Sequence, residues 1–498
     1  MHDDLPGGWG PVLDDLAERR RQGRAMGGPE RLATHNRPGR LDARDRVALL
    51  LDPGTFREIG TLAGTVPADA IVAGSGRIEG RPVMVGAEDF TVAAGTIGPA
   101  SNSKRHRLAE LALQDRMPLV MLLEGAGYRT TERGHGRAPT DLIMQARCSG
   151  LVPVVTAVLG PSAGHGALIA PMSDFTVMTD DAAIFTAGPP VVRQATGEDV
   201  PKEELGGPAV ALASGLIHNR AADDADALAQ VRRYLGYLPT STWSYAEVVP
   251  GPDAGPRPVP ELLELIPRDQ RRVYDIRPVI SALVDGGRWF EVQPEFGRTL
   301  VCALARLGGE PVLVVANQPR VMAGAIDVDG ADKAARWITV ADSFHLPIVF
   351  LADNPGVLPG TGSERAGILR SGARMFAAQT QASTTKVNLT LRKAYGFGSM
   401  VMAMIGFDGQ SATLAFPGAT LGAMGAGAST TATRADADQA EALRQAELEA
   451  SFRSAAALGF DDLIDPREAR DTLLDVLARA RSRRQAPARP VRRTGITP

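Results

Sequence analysis

Only two cysteines, Cys148 and Cys302, occur in this chain of 498 residues. They are far apart and form no CxxC pair, so a disulfide framework and a structural zinc site are both excluded. The compartment expected for such a chain is the reducing cytoplasm. Aromatic residues are scarce, at 5%. Charge is balanced, with 54 basic and 57 acidic residues and a net charge of -3. No strong global field draws the chain to nucleic acid or to a membrane surface. No stretch reaches the roughly 18 uninterrupted apolar residues that a spanning helix needs. The first residues, MHDDLPGGWG, are acidic and carry no apolar run, so they are not expected to form a secretory signal. At 44% hydrophobic and 22% charged, the chain has enough apolar residue for packed cores and too much for disorder. Its length suits two to four domains of roughly 100–200 residues.

What is plentiful is glycine, with 54 residues, and proline, with 36. The glycines fall in clusters between apolar runs, which points to places where backbone passes close to something. The first 46 residues or so are Arg-rich and read as a helix followed by a polar arm. Beyond them, RPVMVGAEDFTV (81–92) reads as buried strand, SKRHRLAELALQDR (103–116) as helix, and PLVMLLEGAG (118–127) as strand then glycine loop. VPVVTAVLG (152–160) is a further strand, and DFTVMTDDAAIFTAG (174–188) holds two short ones. Strands alternating with helices predict βαβ units and a buried parallel sheet. The second half repeats this plan: EPVLVVANQ matches RPVMVGAED, WITVADSFHLPIVFLADNPG matches LAELALQDRMPLVMLLEGAG, and VNLTLRKAYGFGSMVMA matches VVTAVLGPSAGHGALIA. The offset is about 230 residues in all three places, so the fold class is α/β with a duplicated domain. A Pro- and Gly-rich stretch, 241–278, carries the boundary. The C-terminal segment reads as two helices split at Gly459 and Pro466.

Both glycine loops invite the same chemistry. In GPSAGHGAL (160–168) a strand ends, Gly and Pro are expected to turn the chain, and small residues open a helix. The first amides of a helix are unpaired and sit at its positive end, so such a loop holds an oxyanion, for instance a thioester enolate. A tight packing turn is the other reading. RKAYGFGSM (392–400) has the same form. Neither loop is a P-loop, no Rossmann G-x-G-x-x-G follows a strand, and neither a G-x-S-x-G nucleophile elbow nor an HExxH site is expected. His165, inside the first loop, reads as a general base or donor, or as a residue that supplies only its backbone amide with the ring packed nearby. The second reading is favoured. His135, in ERGHGRAPT, is expected to face solvent. Glu124 and Asp353 sit at equivalent strand ends and read as a carboxylate pair or as caps and loop braces.

At these residues the chain resembles the carboxyltransferase (β) subunit of biotin-dependent acyl-CoA carboxylases. The resemblance runs from RPGRLDARDRVALLLDPGTFREIG (37–60) through LEGAGYR, GPSAGHGAL and AGPPVVRQATGEDVPKEELGG (187–207). It continues through YDIRPVISALVDGGRWFEVQPEFG, ADNPGVLPGT, RKAYGFG and LAFPGATLGAMGA to DDLIDPREAR. It implies two duplicated crotonase-like (ClpP/crotonase superhelix) α/β domains, with an acyl-CoA domain at 1–245, a linker at 246–275 and a carboxybiotin domain at 276–498. By position, the amides around Gly164, His165 and Gly166 would hold the thioester enolate, and those around Gly396, Phe397 and Gly398 the ureido oxygen of biotin. Gly125, Ala126, Gly127, Ser162, Ala163, Asn354, Gly356 and Tyr395 would line the substrates. In the family mechanism carboxybiotin releases CO2, the biotin anion takes the α-proton of the acyl-CoA, and the enolate attacks CO2.

The cofactors so implied are biotin, as carboxybiotin on a separate carrier protein, and a coenzyme A thioester, with no metal. The partners are a biotin carboxylase and a biotin carboxyl carrier chain, because neither an AMKM attachment motif nor an ATP-grasp segment is present here. A hexamer of two stacked trimers is expected, with the active site between subunits, and neither nucleic acid nor membrane is involved. Two departures stand out. His165 replaces the second glycine of the usual GPCAGGA, and Phe397 replaces a glycine of RKAYGGAY, with Ser399 and Met400 after it. The segment MIGFDGQSAT (404–413) also departs, in a region expected to line the acyl pocket. The alternatives are a carboxyacyl-CoA decarboxylase subunit, a biotin-independent crotonase-like enzyme, or a non-catalytic assembly subunit.

Overall fold

The computed structural model describes residues 8–37, 39–131, 140–491 and 496. The loop holding His135 lies outside the described residues. Contacts divide the described residues into two compact units, one ending at Gly236 and the other running from Tyr237 to Ile496. Each unit is built around one eight-stranded sheet. In the first unit the strands are β1 (Arg57–Ile59), β2 (Ile71–Ile78), β3 (Arg81–Glu88), β4 (Leu119–Gly125), β5 (Val154–Ala163), β6 (Phe175–Thr179), β7 (Ala183–Phe185) and β8 (Asn219–Ala221). Their order is β1-β2-β3-β4-β5-β6-β8, with β7 paired to the end of β5. In the second unit they are β9 (Trp289–Val292), β10 (Leu300–Leu307), β11 (Glu310–Asn317), β12 (Ile348–Asn354), β13 (Lys386–Tyr395), β14 (Gln410–Ala415), β15 (Thr420–Gly422) and β16 (Asp462–Leu463). The order there is β16-β14-β13-β12-β11-β10-β9, with β15 paired to the end of β13.

The duplication holds in register as well as in order. Ile71 pairs with Glu88 and Leu300 with Asn317 in antiparallel ladders; Met84 pairs with Leu119 and Leu313 with Ile348 in parallel ones. Strands β3, β4, β11 and β12 are near-continuous apolar runs, as strands covered on both faces must be. The covering helices include α1 (Pro99–Gln114) and α2 (Asp141–Cys148) in the first unit, with α3 (Gly164–Ala167) opening where β5 ends. In the second they include α4 (Val328–Ser343) and α5 (Ile368–Gln381), with α6 (Gly396–Val401) opening where β13 ends. Buried aliphatic side chains from both faces, such as Leu108, Met121 and Val158 in one unit and Val314, Leu351 and Leu389 in the other, form the cores. Each fully buried side chain of this size contributes about 1.5–3 kcal/mol.

A buried lysine braces each unit at matching positions. Lys104 donates to the carbonyls of Ala68 (2.8 Å) and Ile71 (2.6 Å), and Lys333 to those of Gln293 (3.0 Å) and Phe296 (2.7 Å). Each holds a turn with left-handed residues, Ala68 to Ala70 in the first unit and Gln293 in the second.

Three expectations change. The polar arm after the first helix contains two more helices, Pro29–Asn36 and Ala43–Leu50, and Arg46 is almost fully buried. The segment 246–275, expected as a linker, packs into the second unit, where Val259, Leu262 and Ile266 join the core. Finally, β5 does not turn at Gly160–Pro161. It runs on to Ala163, because Pro161 to Ala163 find a new partner in β7. Among the described residues, no helix is long and apolar enough to cross a membrane.

Candidate active site

The glycine loops sit at the C-terminal ends of the central parallel strands, the end at which open α/β sheets bind ligands. Just before each loop the register shifts, between Leu123 and Gly125 in the first unit and between Ala352 and Asn354 in the second. In the first unit the chain leaves β5 through Gly164, at φ 56°, a left-handed conformation that glycine adopts without strain. Helix α3 begins there and no side chain caps it, so its first amides have no intrahelical partner. Gly127 packs against the turn, since a Cβ on it would lie 3.0 Å from the carbonyl of Ala163. Behind both lies a left-handed pair, Ala93 and Ala94, and the amide of Ala126 donates to the carbonyl of Ala94 (3.0 Å).

One cavity adjoins this turn, and a second lies beside Ala93 and Ala94. The first, of about 400 Å³, is mainly apolar and is lined by Gly164, Leu168, Ile184, Val192, Leu205 and Val210 among others. The other, of about 580 Å³, carries Arg31, His35 and Arg40 beside Phe90, Ala93 and Ala94. His35 donates to Glu124 (3.0 Å), and Arg46 does so at 2.5 Å. That carboxylate holds His35 above the usual histidine range. Burial pushes Glu124 up, but His35 and Arg46 outweigh it and keep the carboxyl below its ordinary value.

A buried polar chain runs beneath the turn. His165 Nε2 hydrogen-bonds to Asp141, whose side chain is fully buried. Arg105, also fully buried, donates to Asp141 (2.7 Å) and to Glu88 (2.6 Å). Glu88 accepts in turn from the backbone amide of Glu124 (2.9 Å). Burial alone pushes Asp141 up, yet His165 and Arg105 prevail and hold it down to about 2. Glu88 goes the other way, raised by burial against the pull of Arg105.

The second unit repeats the geometry with neutral groups. Gly396, at φ 54°, opens α6, again without a side-chain cap. Asn317 stands where Glu88 stands in the first unit. Its Oδ1 accepts from the amide of Asp353 (3.1 Å) and from Asn354 Nδ2 (3.2 Å). Asn354 Oδ1 accepts from the amide of Gly356 (3.1 Å). Gly398 lies directly over this pair. Tyr395 donates its hydroxyl to Glu447, which also accepts from the amide of Ala426 (2.9 Å). Burial raises the Tyr395 hydroxyl above its ordinary value, and Glu447 adds to the shift. Phe397, 36% exposed, does not fill the turn: its ring stacks on Phe376 at 5.9 Å and leans over Gly372. Phe407, from the departing segment 404–413, meets the other edge of Phe376 at 5.3 Å.

Within each unit the structure brings the named residues together. Gly125, Ala126, Gly127, Ser162, Ala163, Gly164, His165 and Gly166 converge in one; Asn354, Gly356, Tyr395, Gly396, Phe397 and Gly398 converge in the other. Several are spoken for internally. Ser162 is 1% exposed within β5. The letters GPSAG do spell G-x-S-x-G, but this serine lies inside a strand and is not presented at an elbow. The amides of Ala126 and Gly356, and the side chains of Asn354 and Tyr395, already have partners. Glu124 and Asp353 are each a buried brace within their own unit; Asp353 accepts from Arg392 (2.7 Å) and Tyr274 (2.9 Å). The ring of His165 is not merely packed nearby but bound to a carboxylate. Asp141, Arg105, Glu88, Asn317 and Glu447 escaped the sequence reading. Only the parallel placement of Glu88 and Asn317 at the ends of matched strands offered a signal.

Two uncapped, left-handed glycine turns thus stand at matched strand ends of a duplicated α/β fold. The carboxyl transferase domain model matches residues 34–494. The chain belongs to that family and is a carboxyltransferase. It is 38% identical over 98% of its length to the methylmalonyl-CoA carboxyltransferase 12S subunit of Propionibacterium freudenreichii subsp. shermanii, covering 97% of that protein. It is 35% identical to the methylmalonyl-CoA decarboxylase subunit alpha of Veillonella parvula, over 95% of this chain and 96% of that one. A solved structure of transcarboxylase 12S, described as a hexamer with methylmalonyl-coenzyme A bound, superposes with a TM-score of 0.90. That match has 35% identity and covers 99% of this chain and 100% of that one. The crotonase-like duplication expected from the sequence is the fold observed.

Proposed function

We propose that this chain is the carboxyltransferase subunit of a biotin-dependent acyl-CoA carboxylase or transcarboxylase, acting on a short acyl-CoA of the propionyl/methylmalonyl size. The observation that carries this reading is the matched pair of turns at Gly164 and Gly396. In the first unit the amides of Gly164, His165 and Gly166 donate to the thioester oxygen. Charge develops there as the α-carbon becomes an enolate, and preorganised amides are most effective against such charge. The apolar cavity beside Gly164 takes the acyl end, and the basic cavity at Arg31 and Arg40 suits the phosphates of coenzyme A.

The second unit fits a ureido ring. Gly398 leaves a cradle over Asn354 that a Cβ would fill, and the uncapped amides of Gly396, Phe397 and Gly398 are the donors for the ureido oxygen. Carboxybiotin, carried by a separate carrier chain, supplies the carboxyl group when bound. Residues of this chain orient the donor, hold the developing oxyanions and provide no side-chain base. The carrier, a biotin carboxylase, and a hexamer of this chain in the cytoplasm complete the reading. The free, buried thiols of Cys148 and Cys302 suit that reducing setting.

The test is the reverse half-reaction. Purified protein, biocytin and a panel of malonyl-, methylmalonyl- and longer carboxyacyl-CoAs are mixed, and loss of the carboxylate is followed. Biocytin-dependent loss, fastest with methylmalonyl-CoA, is expected. Loss without biocytin, or none across the panel while the CoA esters bind, overturns the proposal. The likeness to a decarboxylase subunit supports a second reading, in which the same half-reaction runs toward release of CO2. Co-purification with an integral membrane partner would favour it.

A further inference from the structure

We infer that His165 is a positioning residue for carboxyl transfer: bound to Asp141, it clamps the oxyanion turn of the first unit to the buried Asp141–Arg105–Glu88 chain. The inference rests on the reading of that turn as the thioester site. Four observations lead to it. The ring sits in the turn itself, one residue after the left-handed Gly164. Its Nε2 is the atom bound to Asp141. With Asp141 held ionised, the carboxylate only accepts, so Nε2 carries the proton. Nε2 is also the distal ring nitrogen, the one a general base would extend toward substrate. Here it points to a side chain with no exposure, so this nitrogen anchors the ring and is not available to a substrate.

The anchor is connected. Asp141 begins α2 and also accepts from Gln145 (3.1 Å), while its amide donates to Asn102 of α1 (3.1 Å). Arg105 passes the chain to Glu88, whose carboxylate lies under Gly166 and holds the amide of Glu124 at the start of the glycine loop. One buried chain of hydrogen bonds thus ties the helix turn 164–166 to the loop 125–127. In the second unit the neutral pair Asn317–Asn354 makes the corresponding tie, and Phe397, at the place of His165, makes none. The clamp therefore belongs to the enolate side alone.

Side-chain reach gives the test. Glutamine places an N–H near the position of histidine Nε2, whereas asparagine and alanine fall short. In the biocytin-dependent reverse half-reaction, His165→Ala and His165→Asn are expected to lose about 10–100-fold in kcat, the scale of a small misplacement of catalytic groups, with KM moving little. His165→Gln is expected to return close to the parent. Hydrogen–deuterium exchange across 164–172 gives a readout that needs no activity. Exchange is expected to quicken about 10-fold in the Ala and Asn variants and to stay unchanged in the Gln variant. Equal impairment of all three variants in kcat, with the loss of an ionisation from the pH profile, overturns the inference in favour of acid–base chemistry by the ring. Parent-like turnover and exchange in all three overturn it too. If the parent itself fails to turn over, the proposed function falls, and the exchange pattern alone still decides the clamp.

Discussion

A Cβ at position 398 would stand 2.3 Å from Asn354 Oδ1 and 2.7 Å from the Cα of Gly356. Neither neighbour has room to move, because both belong to the hydrogen-bonded floor of the turn. Gly398→Ala is therefore expected to cost at least about 100-fold in biocytin-dependent turnover by displacing the amides, with the circular dichroism spectrum retained. Gly427 supplies the control. It lies inside the helix Ala426–Thr433 with nothing near its missing Cβ, so Gly427→Ala should leave turnover alone and stabilise the second unit by about 0.5–1 kcal/mol. Two charged groups set opposite pH dependences in the first unit. Asp141 is held down to about 2, so the stability it lends is complete above its unfolded value near 4 and is lost as pH falls toward 2. His35 is raised by Glu124, so its contribution is complete below about 6.5 and is lost as pH climbs through the raised value. Urea midpoints measured against pH should lose the first slope in Asp141→Asn and the second in His35→Gln.

At the scale of elements, the two departures in the second half of the sequence prove to be one feature. Phe397 and Phe407 both meet Phe376 of α5, so a bulky residue at the turn and one ten residues on in the altered segment pack against the same ring. Phe397→Ala keeps the backbone amide. It is expected to leave kcat close to the parent while lowering stability by about 0.5–1.5 kcal/mol, the worth of an aromatic pair, as thermal unfolding will show. A large fall in kcat would mean that the ring shapes the donor site. Strand β5 shows where local chemistry misleads. Gly160–Pro161 looks like a turn, yet β7 offers the strand end a partner and the chain stays extended to Ala163. Gly160 is needed for another reason: a Cβ there would lie 2.5 Å from the carboxyl of Glu124.

At the scale of the whole chain, strand order, register, the left-handed turns at Ala93–Ala94 and Met322–Ala323, and the bracing lysines all recur in the two units. Each unit keeps one glycine turn at the end of a central strand, and the two differ in what lies beneath it: ions in the first, amides in the second. Assembly is expected to follow the proposed family pattern, so sedimentation equilibrium should find a species of six chains, and a monomer would refute it.

The sequence by itself determined the α/β class, the duplication and the places of the two glycine turns. Those features are written in apolar periodicity and in glycines spaced along one segment, where physics acts between near neighbours. Only the tertiary structure decided that the ring of His165 is anchored on Asp141, that Ser162 is buried, that Val259, Leu262 and Ile266 of the segment 246–275 join the second core, and that Phe397 turns away from its own loop. Each of these depends on which side chain from a distant segment arrives at the same place. Burial then sets the energetic stakes: a buried charge must find its partner, and a partner dozens of residues away leaves no local trace.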